Sequence, residues 1–326
     1  MNHVVDATMN TITNLSKLEV VMVVDNPVNW ASKPRSNLIR PAPSWVNREK
    51  HDPKYVWGGH GISMLVTAYG EDRKYSVLYD TGLSDQLFAH NVQVLGLDLE
   101  SIDSVVVSHG HWDHTGGLIW ALNNVRKPEV PVYLHPDMFH ERAIRNEQTG
   151  ELRKLDSIPT VEEIKSAGGK PVITREAVTL ADGLLVVSGE IPRQTSYEKG
   201  FPGHMALIEG EWQEDEQILD DRCLIAKSDR TGLVVMTGCG HAGIVNTTLE
   251  AKRLAVSDSI FAIIGGFHLV EDETGELIEQ TIEDLSSMKP SLLVPTHCTG
   301  SSGERRMFEK MPDAYTDGSV GHLINL

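Results

Sequence analysis

The chain alternates short apolar runs with charged segments of helical periodicity. Residues 18–24 are apolar and mostly β-branched apart from Glu19, as a buried strand requires. Residues 62–68 and 75–79 read as strands joined through Gly70-Glu71-Asp72, a hairpin connection. Between them and the first strand the pattern breaks. Residues 25–59 are rich in Pro, Asn, Lys and Arg and carry Trp30, Trp45 and Trp57. That composition predicts a long irregular excursion, and three tryptophans argue against disorder. They either anchor the excursion to the core or line a pocket. A helix is predicted over 84–95, with Ser84 as N-cap and Gly96 just past its end. Residues 102–107 form the next strand, followed by a helix over about 115–123.

Further strands are predicted at 131–134, 184–187, 205–208, 222–226, 233–236, 260–264 and 292–294. Helices are predicted over 244–254 and 276–288; in the second, Leu277, Ile278, Ile282 and Leu285 share a face. The middle, 141–170, is charged and mixed, with Thr160-Val161-Glu162-Glu163 as a capping-box start. The strands fall into two sets, each followed by helices. Two sheets packed face to face and covered by helices would bury every apolar face. No repeat and no linker divides the 326 residues, so 1–326 reads as one domain.

Composition narrows the function classes. The formal net charge is -17, and no basic stripe is present, which disfavours nucleic acid as a partner. No apolar stretch approaches the ~20 residues that span a bilayer, so no membrane partner is expected. Cys223, Cys239 and Cys298 are too few and too scattered for a disulfide framework. The expectation is a soluble, cytoplasmic protein acting on a small molecule, with a homo-oligomer also compatible.

The candidate chemistry lies in Ser108-His109-Gly110-His111-Trp112-Asp113-His114-Thr115-Gly116-Gly117-Leu118, directly after an apolar strand. Three imidazoles and a carboxylate within six positions suit a zinc-type centre. At a strand end, alternate residues share a side, so His109 and His111 can aim together. Asp113 and His114 sit on the next turn and can face a second position, which suggests two adjacent metals. Completing donors would come from other strand ends. His241, His268 and His297 each follow a predicted strand and are flanked by glycine. No P-loop, GxSxG elbow or dinucleotide-binding fingerprint is present.

The pattern HxHxDH resembles the signature of the metallo-β-lactamase superfamily. DTG at 80–82, GEIPR at 189–193, TGCGHAGIVNT at 237–247, IGGFHL at 264–269 and THCTG at 296–300 follow in the order of one branch. That branch resembles 7,8-dihydropterin-6-methyl-4-(β-D-ribofuranosyl)aminobenzene-5′-phosphate synthase-like proteins, over roughly residue 18 to the end. The resemblance implies an α/β fold, the four-layer αββα sandwich. It implies a first metal on His109, His111 and His241 and a second on Asp113, His114 and His297. It also implies Asp80 as the carboxylate that orients a ligand histidine. Many relatives carry a bridging aspartate where this chain has Cys239, which is either a further ligand or a small buried residue. Two Zn2+ are expected, with Mn2+ or Fe2+ as alternatives.

The resemblance further implies a hydrolase using a metal-bound hydroxide on a small, phosphorylated or cyclic substrate. Asp113 and His268 are the candidate catalytic residues, and His60, Arg193, His204 and His268 the candidate substrate contacts. Arg193 pairs either with a substrate anion or with a surface carboxylate. One alternative is a transferase joining a pterin-methyl diphosphate to an arylamine. Another is a ligand-binding or regulatory protein that retains the metal. The chain departs from the branch at Gly58-Gly59-His60-Gly61, at Asp220-Asp221-Arg222 and in the length of the excursion.

Overall fold

The computed structural model describes residues 12–46, 55–228, 231–270, 272 and 274–326. Among these residues the strands form three sheets. The first runs, in spatial order, Ile39–Arg40, Leu323–Asn325, Lys17–Val24, Ser63–Tyr69, Lys74–Tyr79, Ser104–Val106, Val130–Leu134 and Gly169–Ile173. The second runs Val178–Leu180, Leu185–Val187, Cys223–Ser228, Gly232–Thr237, Ile260–Gly266 and Leu292–Thr296. A smaller third sheet orders Glu211–Glu214, His204–Ile208, Arg142–Arg145 and Leu152–Lys154.

Period-2 alternation explains the layering. In Lys17–Val24, Leu18, Val20 and Met22 face the second sheet, while Val21 and Val23 face helices. In Cys223–Ser228, Leu224 and Ala226 point inward and Cys223 and Ile225 point outward. The inner faces make one core. Asp85–Leu95, Leu118–Val125 and Val161–Ser166 cover the outer face of the first sheet. Ile244–Ala255, Glu276–Met288 and Gly300–Lys310 cover that of the second. The result is a four-layer αββα sandwich. Each fully buried Val, Leu or Ile in it contributes roughly 1.5–3 kcal/mol.

Helices between parallel strands bring several strand ends to one edge. Lys74–Tyr79 pairs parallel with Ser104–Val106, and Asp85–Leu95 makes the crossover. Gly232–Thr237, Ile260–Gly266 and Leu292–Thr296 pair parallel, with crossovers through Ile244–Ala255 and Glu276–Met288. The expected caps form. The Ser84 side chain accepts from Leu87 N, Gly96 closes its helix in the left-handed region, and Thr160 and Glu163 make the capping box.

The helix after the His-rich strand differs from expectation. It starts at Trp112 and breaks after Thr115, then resumes over Leu118–Val125. The break comes at Gly116-Gly117, packed so tightly that a Cβ on Gly116 would lie 2.0 Å from Leu83 O. The strands Arg142–Arg145 and Leu152–Lys154 lie in the charged middle, where no strand was expected. They are short and mostly not fully buried, so little alternation marks them. Among the described residues no helix is long and apolar enough to cross a membrane.

In the excursion, residues 47–54 lie outside the described residues. Trp30 and Trp45 pack on the outer core, and Trp45 Nε1 donates to Gly321 O at 3.0 Å. Trp57 instead stacks on His90, ring centroids 3.6 Å apart, with about half its surface exposed.

Candidate metal centre

Five strand ends converge at one edge of the sandwich. Lys74–Tyr79 delivers Asp80, Ser104–Val106 the loop from Ser108 to His114, and Gly232–Thr237 the residues Cys239 and His241. Ile260–Gly266 delivers His268, and Leu292–Thr296 delivers His297. Asp80, His268 and His297 take left-handed φ of 57°, 43° and 53°. Non-glycine residues there carry a steric cost, and such strain concentrates at functional sites. Gly238 is required by contact: a Cβ on it would lie 2.2 Å from Ser108 Oγ and 2.8 Å from Asp80 Oδ2.

Two donor sets result. His109, His111 and His241 present ring nitrogens within 4.8 Å of one another, and all three are buried. His109 Nε2 lies 3.0 Å from His111 Nδ1. Burial pushes all three imidazoles well below the usual histidine range, and neighbouring imidazoles or the Arg142 guanidinium add to the shift. They are therefore neutral, the form that binds metal. Both ring nitrogens of His241 are buried with no hydrogen-bond partner among the described residues. A buried imidazole with two unmet nitrogens is costly unless something else takes a lone pair.

The second set is Asp113, His114, Cys239 and His297, likewise within 4.8 Å. Cys239 Sγ lies 3.1 Å from His114 Nε2 and 3.2 Å from His297 Nε2. Asp113 Oδ2 lies 3.5 Å from His114 Nε2 and 3.4 Å from His297 Nε2. Burial opposes the Asp113 charge, but His114 and His297 outweigh it and hold the carboxyl well below its usual range. Burial also opposes the charge on His114, yet Asp113 and Asp80 push it up to about 9. Cys239 also groups with His241 and His268, so its sulfur lies where the two sets meet. The three neutral imidazoles of the first set, a carboxylate, a thiol and the unpartnered His241 nitrogens fit divalent metal of the zinc type.

Supporting bonds fix the donors. Asp80 is fully buried and accepts from Ser108 N, Ser108 Oγ and His114 Nδ1, each at 2.7 Å. Ser108 Oγ also lies 2.9 Å from His109 Nδ1. Asp220 Oδ2 accepts from Gly110 N at 2.7 Å, and Asp221 Oδ2 accepts from Ala242 N at 2.8 Å. The Asp220-Asp221 pair thus grips the backbone beside His109, His111 and His241. Asn26, at the start of the excursion, places Oδ1 3.0 Å from His297 Nδ1.

The remaining candidates divide. His60 is half-exposed, with Nε2 3.4 Å from Asp113 Oδ2 and its ring 5.0 Å from that of His297. His268 is partly buried, its ring 4.1 Å from His241 and 5.0 Å from Phe201. Two other candidate substrate contacts are engaged with protein groups. Arg193 turns Nη1 and Nη2 to the carbonyls of Ile191, Gln217 and Ile218, and its Nε is buried without a hydrogen-bond partner among the described residues. His204 is fully buried behind His111, Nε2 to Nε2 3.0 Å.

Sequence reasoning did not single out Phe201, Lys199 or Asn26. Phe201 stacks on His241, ring centroids 5.7 Å apart and planes 8° from parallel. Lys199 lines a small cleft with His241, Phe267 and His268. Both sit in an irregular stretch without periodicity, where only the glycines at 200 and 203 marked a turn.

A family model described as the metallo-beta-lactamase superfamily matches residues 57–297. The chain belongs to that superfamily. Within it, 274 residues are 29% identical to the 7,8-dihydropterin-6-methyl-4-(beta-D-ribofuranosyl)-aminobenzene-5'-phosphate synthase of Methanocaldococcus jannaschii, covering 82% of this chain and 90% of that protein. An uncharacterized protein of the same organism is 30% identical over 84% of this chain and 96% of its own length. Among solved structures, Tm1679, described as a metal-dependent hydrolase of the beta-lactamase superfamily, superposes with a TM-score of 0.70. It is 22% identical, covering 95% of this chain and 98% of its own, a likeness of fold. The branch expected from the ordered motifs is therefore the one to which this member of the superfamily is similar.

Proposed function

We propose that the protein is a metal-dependent hydrolase of a small molecule, working with two zinc ions side by side. The observation that carries this is the pair of buried donor sets meeting at one edge of the sandwich. His109, His111 and His241 would hold the first ion; Asp113, His114 and His297 would hold the second. Cys239 would ligate at the place where the sets meet. Thiol and imidazole donors favour zinc over magnesium or calcium, with Mn2+ or Fe2+ as alternatives. When bound, such ions supply Lewis acidity and lower the pKa of a coordinated water to about 7.

The chain's own groups do the rest. Asp113, held ionised, would orient a hydrogen-bond donor beside the second ion. His268, partly exposed beside His241, is placed to protonate a leaving group. Half-exposed His60 and exposed Lys199 stand at the rim, where a substrate anion can meet them. Three buried, unpaired cysteines suit the reducing cytoplasm. A second reading is supported by one observation, the similarity to a protein named as a synthase over 82% of the chain. In that reading the same site would catalyse a transfer.

The test is turnover of simple phosphodiesters and lactones by metal-loaded protein. Hydrolysis is expected, and Asp113→Ala should reduce it by about 10²-fold or more. Metal analysis giving far less than one equivalent would sink both enzyme readings. Product formed only when an amine acceptor is supplied would select the transferase.

A further inference from the structure

His204 lies outside both donor sets, yet it is fully buried against one of them. Its Nδ1 lies 3.0 Å from the carbonyl oxygen of Asp215, which can only accept. Nδ1 therefore carries the proton, and Nε2 is a lone pair. That lone pair lies 3.0 Å from His111 Nε2, which must then be the donor. A neutral His111 protonated at Nε2 has its lone pair on Nδ1, the nitrogen 3.0 Å from His109 Nε2. The hydrogen bonds thus run in one direction, from His111 Nε2–H to His204 and from His204 Nδ1–H to the Asp215 carbonyl.

We propose that His204 is a positioning residue for the first metal: it fixes the tautomer and the aim of His111. It does so from the small third sheet, and it takes the place usually held by a carboxylate or carbonyl behind a ligand histidine. The turn that presents it is itself braced. His204 N donates to Phe201 O at 3.2 Å, and Gly203 N donates to Glu216 Oε1 at 2.8 Å. The same turn lays Phe201 against His241. One short segment therefore holds two of the three first-set imidazoles, His111 by a hydrogen bond and His241 by a ring face.

This inference rests on the first donor set holding a metal, and the experiment separates the two. His204→Leu removes both polar bonds, whereas His204→Gln restores an acceptor opposite His111 Nε2. Zinc affinity is measured by chelator competition on wild type and both variants, with thermal unfolding as the folding control. His204→Leu should weaken one of two zinc equivalents by about 10- to 100-fold, and His204→Gln should recover most of that loss. Histidine-selective 15N NMR of the zinc-loaded wild type should show His204 protonated at Nδ1 and His111 at Nε2. Zinc held by His204→Leu within twofold of wild type, or His204 protonated at Nε2, overturns the proposal. If His204→Leu does not fold, the Gln variant and the wild-type tautomers decide it. Wild type that takes up no zinc refutes the metal reading itself.

Discussion

Replacing Asp80 by Asn should weaken both proposed metal positions at once, because one carboxylate bonds, directly or through Ser108, to a histidine in each donor set. Asp80 Oδ2 receives His114 Nδ1–H and the Ser108 hydroxyl, both at 2.7 Å. Having donated to Asp80, that hydroxyl can only accept from His109 Nδ1–H, 2.9 Å away. His109 thereby keeps its Nε2 lone pair toward His111, and a metal that displaces the second proton of His114 would find that ring's Nε2 free, on the side of Cys239. An amide cannot reproduce this. With its NH2 at the Oδ2 position it drives His114 to the opposite tautomer, placing a proton where the metal belongs. With its oxygen there, the NH2 faces Ser108 N–H, a donor 2.7 Å away in the native site.

Either orientation loses at least one buried, charge-assisted hydrogen bond, about 1.5–3 kcal/mol. At 1.4 kcal/mol per decade that is a loss of roughly 10- to 100-fold in zinc affinity. The backbone should survive, since Asn tolerates the left-handed conformation that Asp80 adopts at φ 57°. Chelator competition on the purified variant, with thermal unfolding as the folding control, reads the effect directly. Asp80→Asn protein binding both equivalents within threefold of wild type would refute the tautomer argument. So would loss at only one position, because the Ser108 relay would then play no part.

Two further outcomes follow from other sites. In cobalt-substituted protein, Cys239→Ser should abolish the near-ultraviolet thiolate charge-transfer band while His109, His111 and His241 still bind one equivalent; an unchanged spectrum would make Cys239 only a buried filler. His322 is buried, 2.7 Å from Ser32 Oγ, and burial lowers its pKa from 6.5 to about 4 despite Asp317. The folded value is the lower one, so its contribution is complete above 6.5 and lost as pH falls toward 4. That is worth up to roughly 3 kcal/mol, and denaturant unfolding of His322→Asn should show a correspondingly flatter acid limb.

The sandwich was legible because its strands are buried on both faces and read as unbroken apolar runs, as at 20–24 and 233–236. The edge where chemistry gathers was legible because glycine and histidine follow those runs. Local pattern did not show what crosses from elsewhere in the chain. His204 was marked as a histidine beside glycine, but only the register of the third sheet puts it behind His111. Arg193 reads in the sequence as a partner for a substrate anion or a surface carboxylate; the carbonyls that hold it come from residues 191, 217 and 218. Gly300–Lys310 buries little beyond Gly303 and Met307, too weak an apolar stripe to predict a helix.

Those crossing contacts bear on how substrate choice and metal binding are related. The segments in which the chain departs from its branch each bond to a metal loop. The excursion supplies Asn26 to His297. Asp220 and Asp221 hold Gly110 and Ala242. His60 overhangs Asp113. A change in any of them, selected for a new substrate, would also shift the aim of a donor. Hydrogen bonds of this kind alter ligand affinity by one or two decades, comparable to what a pocket contact contributes to discrimination. Exchanging these segments between relatives should therefore cost metal affinity unless the matching contacts travel with them. The pairs to move together are Asn26 with His297, and the Asp220-Asp221 pair with the loops at 110 and 242.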